Sequence, residues 1–223
     1  MTVAAVILAG DPDSALRDVE GTPGARRLVD TAWAGGATPI VVVAADPDGA
    51  VAAALAGSPA VLAAPPAEGR RVGQMAHGFA VARAEVEDTA AALLWPARMG
   101  WVDAETVTSL IEAHGVDRAA VLRPAFRGSA GWPALVPTGH LGALRALDAG
   151  LEPEAAVEAL LTVVGGRLIE LGDPGTTHDL ATPRSALPPF EGPPEPTAEH
   201  HHEWGSPAAA GPDEPPPPAR TIG

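Results

Sequence analysis

Val3-Ala4-Ala5-Val6-Ile7-Leu8-Ala9-Gly10 decides how this chain is read. It is an uninterrupted apolar run of strand length that stops at a glycine. Without polar alternation, such a run predicts a strand covered on both faces, in the middle of a parallel sheet. Ligands of open α/β sheets bind beyond the carboxyl ends of the central strands, so Gly10 marks the expected mouth of a site. The segment that follows, Asp11-Pro12-Asp13-Ser14-Ala15-Leu16-Arg17-Asp18, is acidic where a phosphate-binding loop is Gly-rich or basic. Asp11 and Asp13 are therefore candidate metal ligands, although Asp-Pro-Asp is equally an ordinary solvated turn.

Outward from this strand, apolar runs alternate with helical patterns. Further strands are predicted at residues 39–44, 60–63, 89–95, 119–122 and 167–171. Helices are predicted at 24–35 with Leu28, Ala32 and Trp33 at helical spacing, at 49–56 capped by Asp48, and at 69–85 with Val72, Met75, Phe79 and Ala82 buried. Others begin at Asp103, which has N-cap spacing, and span 138–148 and 153–163, the last with Pro153 in its first turn. Residues 126–136 read as a Gly-rich turn feeding a strand. The alternation gives one doubly wound α/β domain over residues 1–187.

The 223 residues suffice for such a domain and an appendage. A net charge of −14 argues against nucleic acid or an anionic membrane surface as a partner. Every basic residue is Arg; the chain has no Lys and no Cys, so thiolate catalysis, disulfides and Cys-based metal sites are excluded. The N-terminal run is too short for a signal peptide or a membrane span, and a cytoplasmic location is expected. From residue 188 onward, eleven of 36 residues are Pro and apolar periodicity ends, which predicts a disordered tail; a docking role of this acidic segment for a protein partner is a further open alternative. His200, His201 and His202 fall within it. No Gly-x-Ser-x-Gly elbow and no Gly-x-Gly-x-x-Gly fingerprint occurs.

Four segments, in order, resemble the MobA-like NTP transferases of molybdenum-cofactor maturation. Val6-Ile7-Leu8-Ala9-Gly10 is similar to the family's first strand entering its nucleotide loop. Leu93-Leu94-Trp95 with Val102-Asp103-Ala104-Glu105-Thr106 resembles the strand and helix that flank its metal-binding Asp-x-Pro. Pro124-Ala125-Phe126-Arg127-Gly128-Ser129-Ala130-Gly131-Trp132-Pro133 is similar to its acceptor segment, and His178-Asp179-Leu180-Ala181-Thr182-Pro183 to its closing Asp-Ile-Asp-Thr-Pro. The resemblance implies a Rossmann-like, mixed but mostly parallel sheet of the nucleotide-diphospho-sugar transferase type. It also implies transfer of NMP from an NTP to a phosphorylated, pterin-like acceptor, with Mg²⁺ as cofactor if the protein is active and none otherwise.

Carried over by residue, the resemblance makes Leu8, Ala9, Gly10, Arg17 and Arg98 nucleotide-binding candidates. It makes Phe126, Arg127, Gly128, Gly131 and Trp132 acceptor candidates, and adds Asp179 to Asp11 and Asp13 as candidate metal ligands. The departures fall on the chemistry. Arg98-Met99-Gly100 occupies the Asp-x-Pro triplet, and a chain without Lys cannot supply the loop lysine, for which Arg17, Arg26 or Arg27 would have to substitute. Two functions therefore stay open: a divergent transferase, or a catalytically silent protein that binds a nucleotide or phosphorylated ligand.

Overall fold

The computed structural model describes residues 2–10, 12–67 and 71–193. Asp11, the helix start at 69–70, His200 to His202 and the rest of the Pro-rich segment from 194 lie outside the described residues. In chain order the first elements are β1 (Thr2–Gly10), α1 (Pro12–Leu16), β2 (Asp18–Val19), β3 (Thr22–Pro23), α2 (Gly24–Ala34), β4 (Ile40–Ala44) and α3 (Ala50–Ala54). The middle of the chain forms β5 (Ala60–Ala63), α4 (Arg71–Glu85), β6 (Thr89–Pro96), α5 (Ala104–Val116) and β7 (Val121–Phe126). There follow β8 (Ser129–Ala130), β9 (Ala134–Pro137), α6 (Leu141–Arg145), α7 (Pro153–Val164) and β10 (Gly166–Glu170).

One eight-stranded sheet has the order β10-β7-β9-β6-β1-β4-β5, with β8 paired to β7; β2 and β3 form a separate ribbon. β1 lies inside it, parallel to β4 on one side and to β6 on the other. Among the described strands of this sheet, only β9 and the short β8 run antiparallel to their neighbours. Val3 to Ala9 and all of β4 are buried, because α2 and α4 both pack on these strands, α2 together with α5 and α4 together with α6 and α7. At roughly 25 cal/mol per Å² of apolar surface, this two-sided cover is the main source of stability. Contact is close enough to need glycine: a Cβ on Gly78 of α4 would lie 2.4 Å from Val6 Cγ1.

The expected elements form, and their differences from the sequence reading have local causes. The acidic loop after β1 contains α1 and leads into the β2–β3 ribbon. α3 is capped by Asp46, not Asp48: its carboxylate accepts from the Val51 and Ala52 amides, reached because Gly49 turns in the left-handed region. α2 buries Leu28, Val29 and Ala32, whereas Trp33 points outward, 57% exposed. The helix expected at 138–148 shortens to a 3-10 turn at Thr138–His140 followed by α6; Gly139 and Gly142 lower its helical propensity. β7 continues past residue 122 through Arg123 and Pro124 to Phe126. The four residues expected on the buried face of α4 are all buried.

Candidate functional site

At the carboxyl ends of β1 and β6 the chain opens into two hollows that share Arg98. The smaller, about 150 Å³, is bounded by Leu8, Ala9, Arg71, Gln74, Arg98 and Glu152. The larger, about 570 Å³, is bounded by Arg98, Arg123, Trp132, Glu154, His178 and Asp179, among others.

Arg98 is fixed at the backbone and exposed at the side chain. The Ala97 amide donates to Leu8 O at 3.0 Å, the Trp95 indole N–H to Met99 O at 3.0 Å, and the Arg27 Nε to Gly100 O at 2.9 Å. The closing segment straps the loop from the other side: the Leu180 amide donates to Arg98 O at 2.8 Å and the Trp101 indole to Thr182 O at 3.0 Å. A Cβ on Gly100 would stand 2.8 Å from Leu180 Cδ2. From this base the Arg98 guanidinium pairs with Glu154, whose Oε1 also accepts the Trp132 indole N–H at 3.1 Å.

A second arginine repeats the arrangement. Arg71, in the first turn of α4, pairs with Glu152 Oε2 at 3.5 Å. Gly10, at φ +70, lets its guanidinium approach the end of β1: a Cβ there would lie 3.0 Å from Arg71 Nη1. Both glutamates belong to the start of α7, Glu152 as its N-cap residue and Glu154 in its first turn. Carboxylates at that position also complement the helix dipole.

The larger hollow rests on β7 and its neighbours. Arg123 is buried on β7; it donates to Gly131 O at 3.1 Å, pairs with Glu158, and lies 5.6 Å from the Trp132 ring centroid. Trp132 is anchored by its amide, which donates to Thr176 O at 2.8 Å. Phe126 is buried and meets the His178 ring edge-on at 6.2 Å, while the His178 Nδ1 bonds Pro174 O at 2.8 Å.

Of the sequence candidates, Leu8, Ala9, Arg98, Trp132 and Asp179 come together around these hollows, and Gly10 borders them through Arg71. Phe126 and Gly131 support the walls; Gly131 is needed because a Cβ would meet Thr176 at 2.6 Å. Arg127 and Gly128 form the tip of the β7–β8 hairpin, with Arg127 paired to Glu191 and lining neither hollow. Arg17 and Asp13 are exposed and line neither hollow. Asp179 Oδ1 accepts the Ala181 amide at 2.9 Å, so it caps the closing turn.

The sequence reading missed Arg71, Glu152, Glu154 and Arg123. Arg123 carried a signal, a cation inside an apolar strand; the two glutamates read only as ordinary first-turn acids. It also missed Asp173, buried beneath the closing segment. That carboxylate accepts from the Asp103 amide, the Thr106 hydroxyl and the Gly175 amide. Burial pushes it above the usual carboxylate range, against the pull of those hydrogen bonds.

The sequence model of the MobA-like NTP transferase domain matches residues 5–163. The chain belongs to that family. Among solved structures, the MobA-like domain is similar to Rv0371c from Mycobacterium tuberculosis H37Rv, in complex with manganese, at 17% identity and a TM-score of 0.60 over 77% of this chain and 88% of that one. A nucleotidyl transferase from Methanothermobacter thermautotroptrophicus aligns at 16% identity and a TM-score of 0.58, covering 76% and 87%. A 4-diphosphocytidyl-2C-methyl-D-erythritol synthase aligns at 17% identity and a TM-score of 0.63, covering 83% and 95%. These likenesses establish a nucleotide-diphospho-sugar transferase fold. A search among curated proteins finds no significant match. Among the described residues, no helix is long and apolar enough to cross a membrane.

The resemblance puts Arg98 at the position of the family's metal-binding acid, and a guanidinium at that position does not suit a divalent metal. A guanidinium about 4–5 Å from a divalent ion is repelled by roughly 7–8 kcal/mol at an effective dielectric near 20. The nearby carboxylates are engaged: Glu154 by Arg98 and Trp132, Glu152 by Arg71, Asp179 by Ala181. Among the described residues, no group of three or more His, Asp or Glu side chains could hold a metal ion.

Proposed function

We infer that this MobA-like domain binds a nucleotide or another phosphorylated ligand through arginine, without a divalent metal, and does not complete nucleotidyl transfer. One observation carries the reading: Arg98 projects between the two hollows from a loop pinned on both sides. Arginine matches phosphate geometry bidentately and needs no metal to do so. Arg71 adds a second cation beside the end of β1, and Arg123 with Trp132 gives the larger hollow a cation and an aromatic face for the rest of a ligand. Transfer itself asks for more, because the leaving pyrophosphate must be neutralised as it departs.

Calorimetry with each of the four NTPs, with and without Mg²⁺ or Mn²⁺, tests the binding. Affinity should persist in EDTA and be lost in Arg98→Ala. A pyrophosphate-release assay should stay at background. Turnover that Asp179→Asn or Asp11→Asn abolishes would overturn the reading in favour of NMP transfer to a phosphorylated, pterin-like acceptor.

A further inference from the structure

The two arginines that line the smaller hollow, Arg71 and Arg98, are both engaged, and by the same short piece of chain. Glu152 and Glu154 bracket Pro153 at the start of α7 and pair with Arg71 and Arg98 respectively. A carboxylate facing a guanidinium occupies the place an oxyanion of a ligand would take. The smaller hollow, at about 150 Å³, falls below the ~300–1,000 Å³ of small-molecule sites. Glu152 and Pro153 are among the residues that confine it.

We propose that Glu154, with Glu152 beside it, sets the specificity of the cleft by standing in for phosphate on its arginines. The proposal rests on the arginine-binding reading above and adds a displacement step to it. A ligand reaches Arg98 only by replacing Glu154, and Arg71 only by replacing Glu152. Neutral ligands and single carboxylates gain little from this exchange, since they trade one pairing for an equal one. A ligand with two adjacent phosphates carries enough charge to displace both glutamates at once. Released from Arg98, Glu154 also gives up the Trp132 indole, so occupancy of the smaller hollow is transmitted to the aromatic wall of the larger one. Pro153 at the first turn limits how the two glutamates move independently.

The test uses the full chain in EDTA with orthophosphate and pyrophosphate as probes, read by calorimetry and by tryptophan emission against a Trp132→Phe control. Pyrophosphate should bind more tightly than orthophosphate and change the emission contributed by Trp132. Glu154→Gln should bind pyrophosphate about fivefold more tightly, the scale set by a half-exposed ion pair of about 1 kcal/mol. That gain should vanish in the Arg98→Ala background, which separates loss of a competing partner from a general change in charge. If Glu154→Gln binds no more tightly, or gains equally in Arg98→Ala, the displacement is refuted while arginine binding stands. If neither wild type nor Glu154→Gln binds pyrophosphate, both readings fail together.

Discussion

The two hollows share one arginine but differ in how they are built. The smaller lies over the ends of β1 and β6, and its polar wall consists largely of arginines held by glutamates of α7. The larger is nearly four times as spacious and is lined by groups fixed from below: Arg123 by Gly131 and Glu158, Trp132 by Thr176, His178 by Pro174. The first is a set of charges balanced against one another. The second is a scaffolded cavity. The smaller hollow is thus defined by opposed charges, while the larger one has room and a hydrogen-bonded frame.

Trp95 supports both hollows, because it is buried one residue before the end of β6 with its indole bonded to Met99 O in the Arg98 loop. Trp95→Ala should cost about 3–5 kcal/mol in chemical denaturation and erase the difference between them. Asp173→Ala should act next, by about 2–3 kcal/mol, since it strands three donors that the buried carboxylate satisfies. Its effect should fall on the larger hollow, whose wall includes Thr176. Gly131→Ala should cost about 1–3 kcal/mol by pushing on Thr176, and should weaken ligand contact at Trp132 while leaving pyrophosphate binding at Arg98 intact.

The smallest effect is a pH dependence outside both hollows. His114 on α5 is buried with neither ring nitrogen hydrogen-bonded. Burial, and secondarily Arg118, lower it below the ordinary imidazole value, opposed by Asp117. The folded state therefore binds fewer protons than the unfolded one just below that value. The contribution of His114 is complete above about pH 6.5 and declines as pH falls. Asp173 runs the opposite way: raised by burial, its contribution is complete below the ordinary Asp value and is lost as pH rises through its folded-state value. Thermal melts from pH 7.5 down to 5 should show wild type losing stability relative to His114→Leu as the pH falls.

The sheet was legible because the central strands β1 and β4 are apolar along almost their whole length. Val3 to Ala9 and residues 40–44 have no polar member to place on a solvent face, so two-sided burial follows from composition alone. The pattern at 126–136 gave the strand of β9 but not its antiparallel direction; only the mixed sheet implied by the resemblance left room for it. The rim was less legible for a physical reason: its partners are far apart in sequence. Arg98 and Glu154 are separated by 56 residues and Asp103 and Asp173 by 70. A glutamate at a helix start looks the same whether it faces water or an arginine. Arg98 drew notice in the sequence only because the resemblance sets it where the family has a carboxylate, and it lines both hollows.

The strap across the Arg98 loop has a consequence for how this protein can be cut. The family match ends at residue 163, yet β10, Asp173 and the Leu180 and Thr182 contacts all lie beyond it. A fragment trimmed to the matched borders would lose the edge strand β10 and the contacts that hold the Arg98 loop, whose guanidinium both hollows share. Domain swaps and minimal versions of this fold should therefore take their downstream boundary after Thr182, where the last of those ties is made.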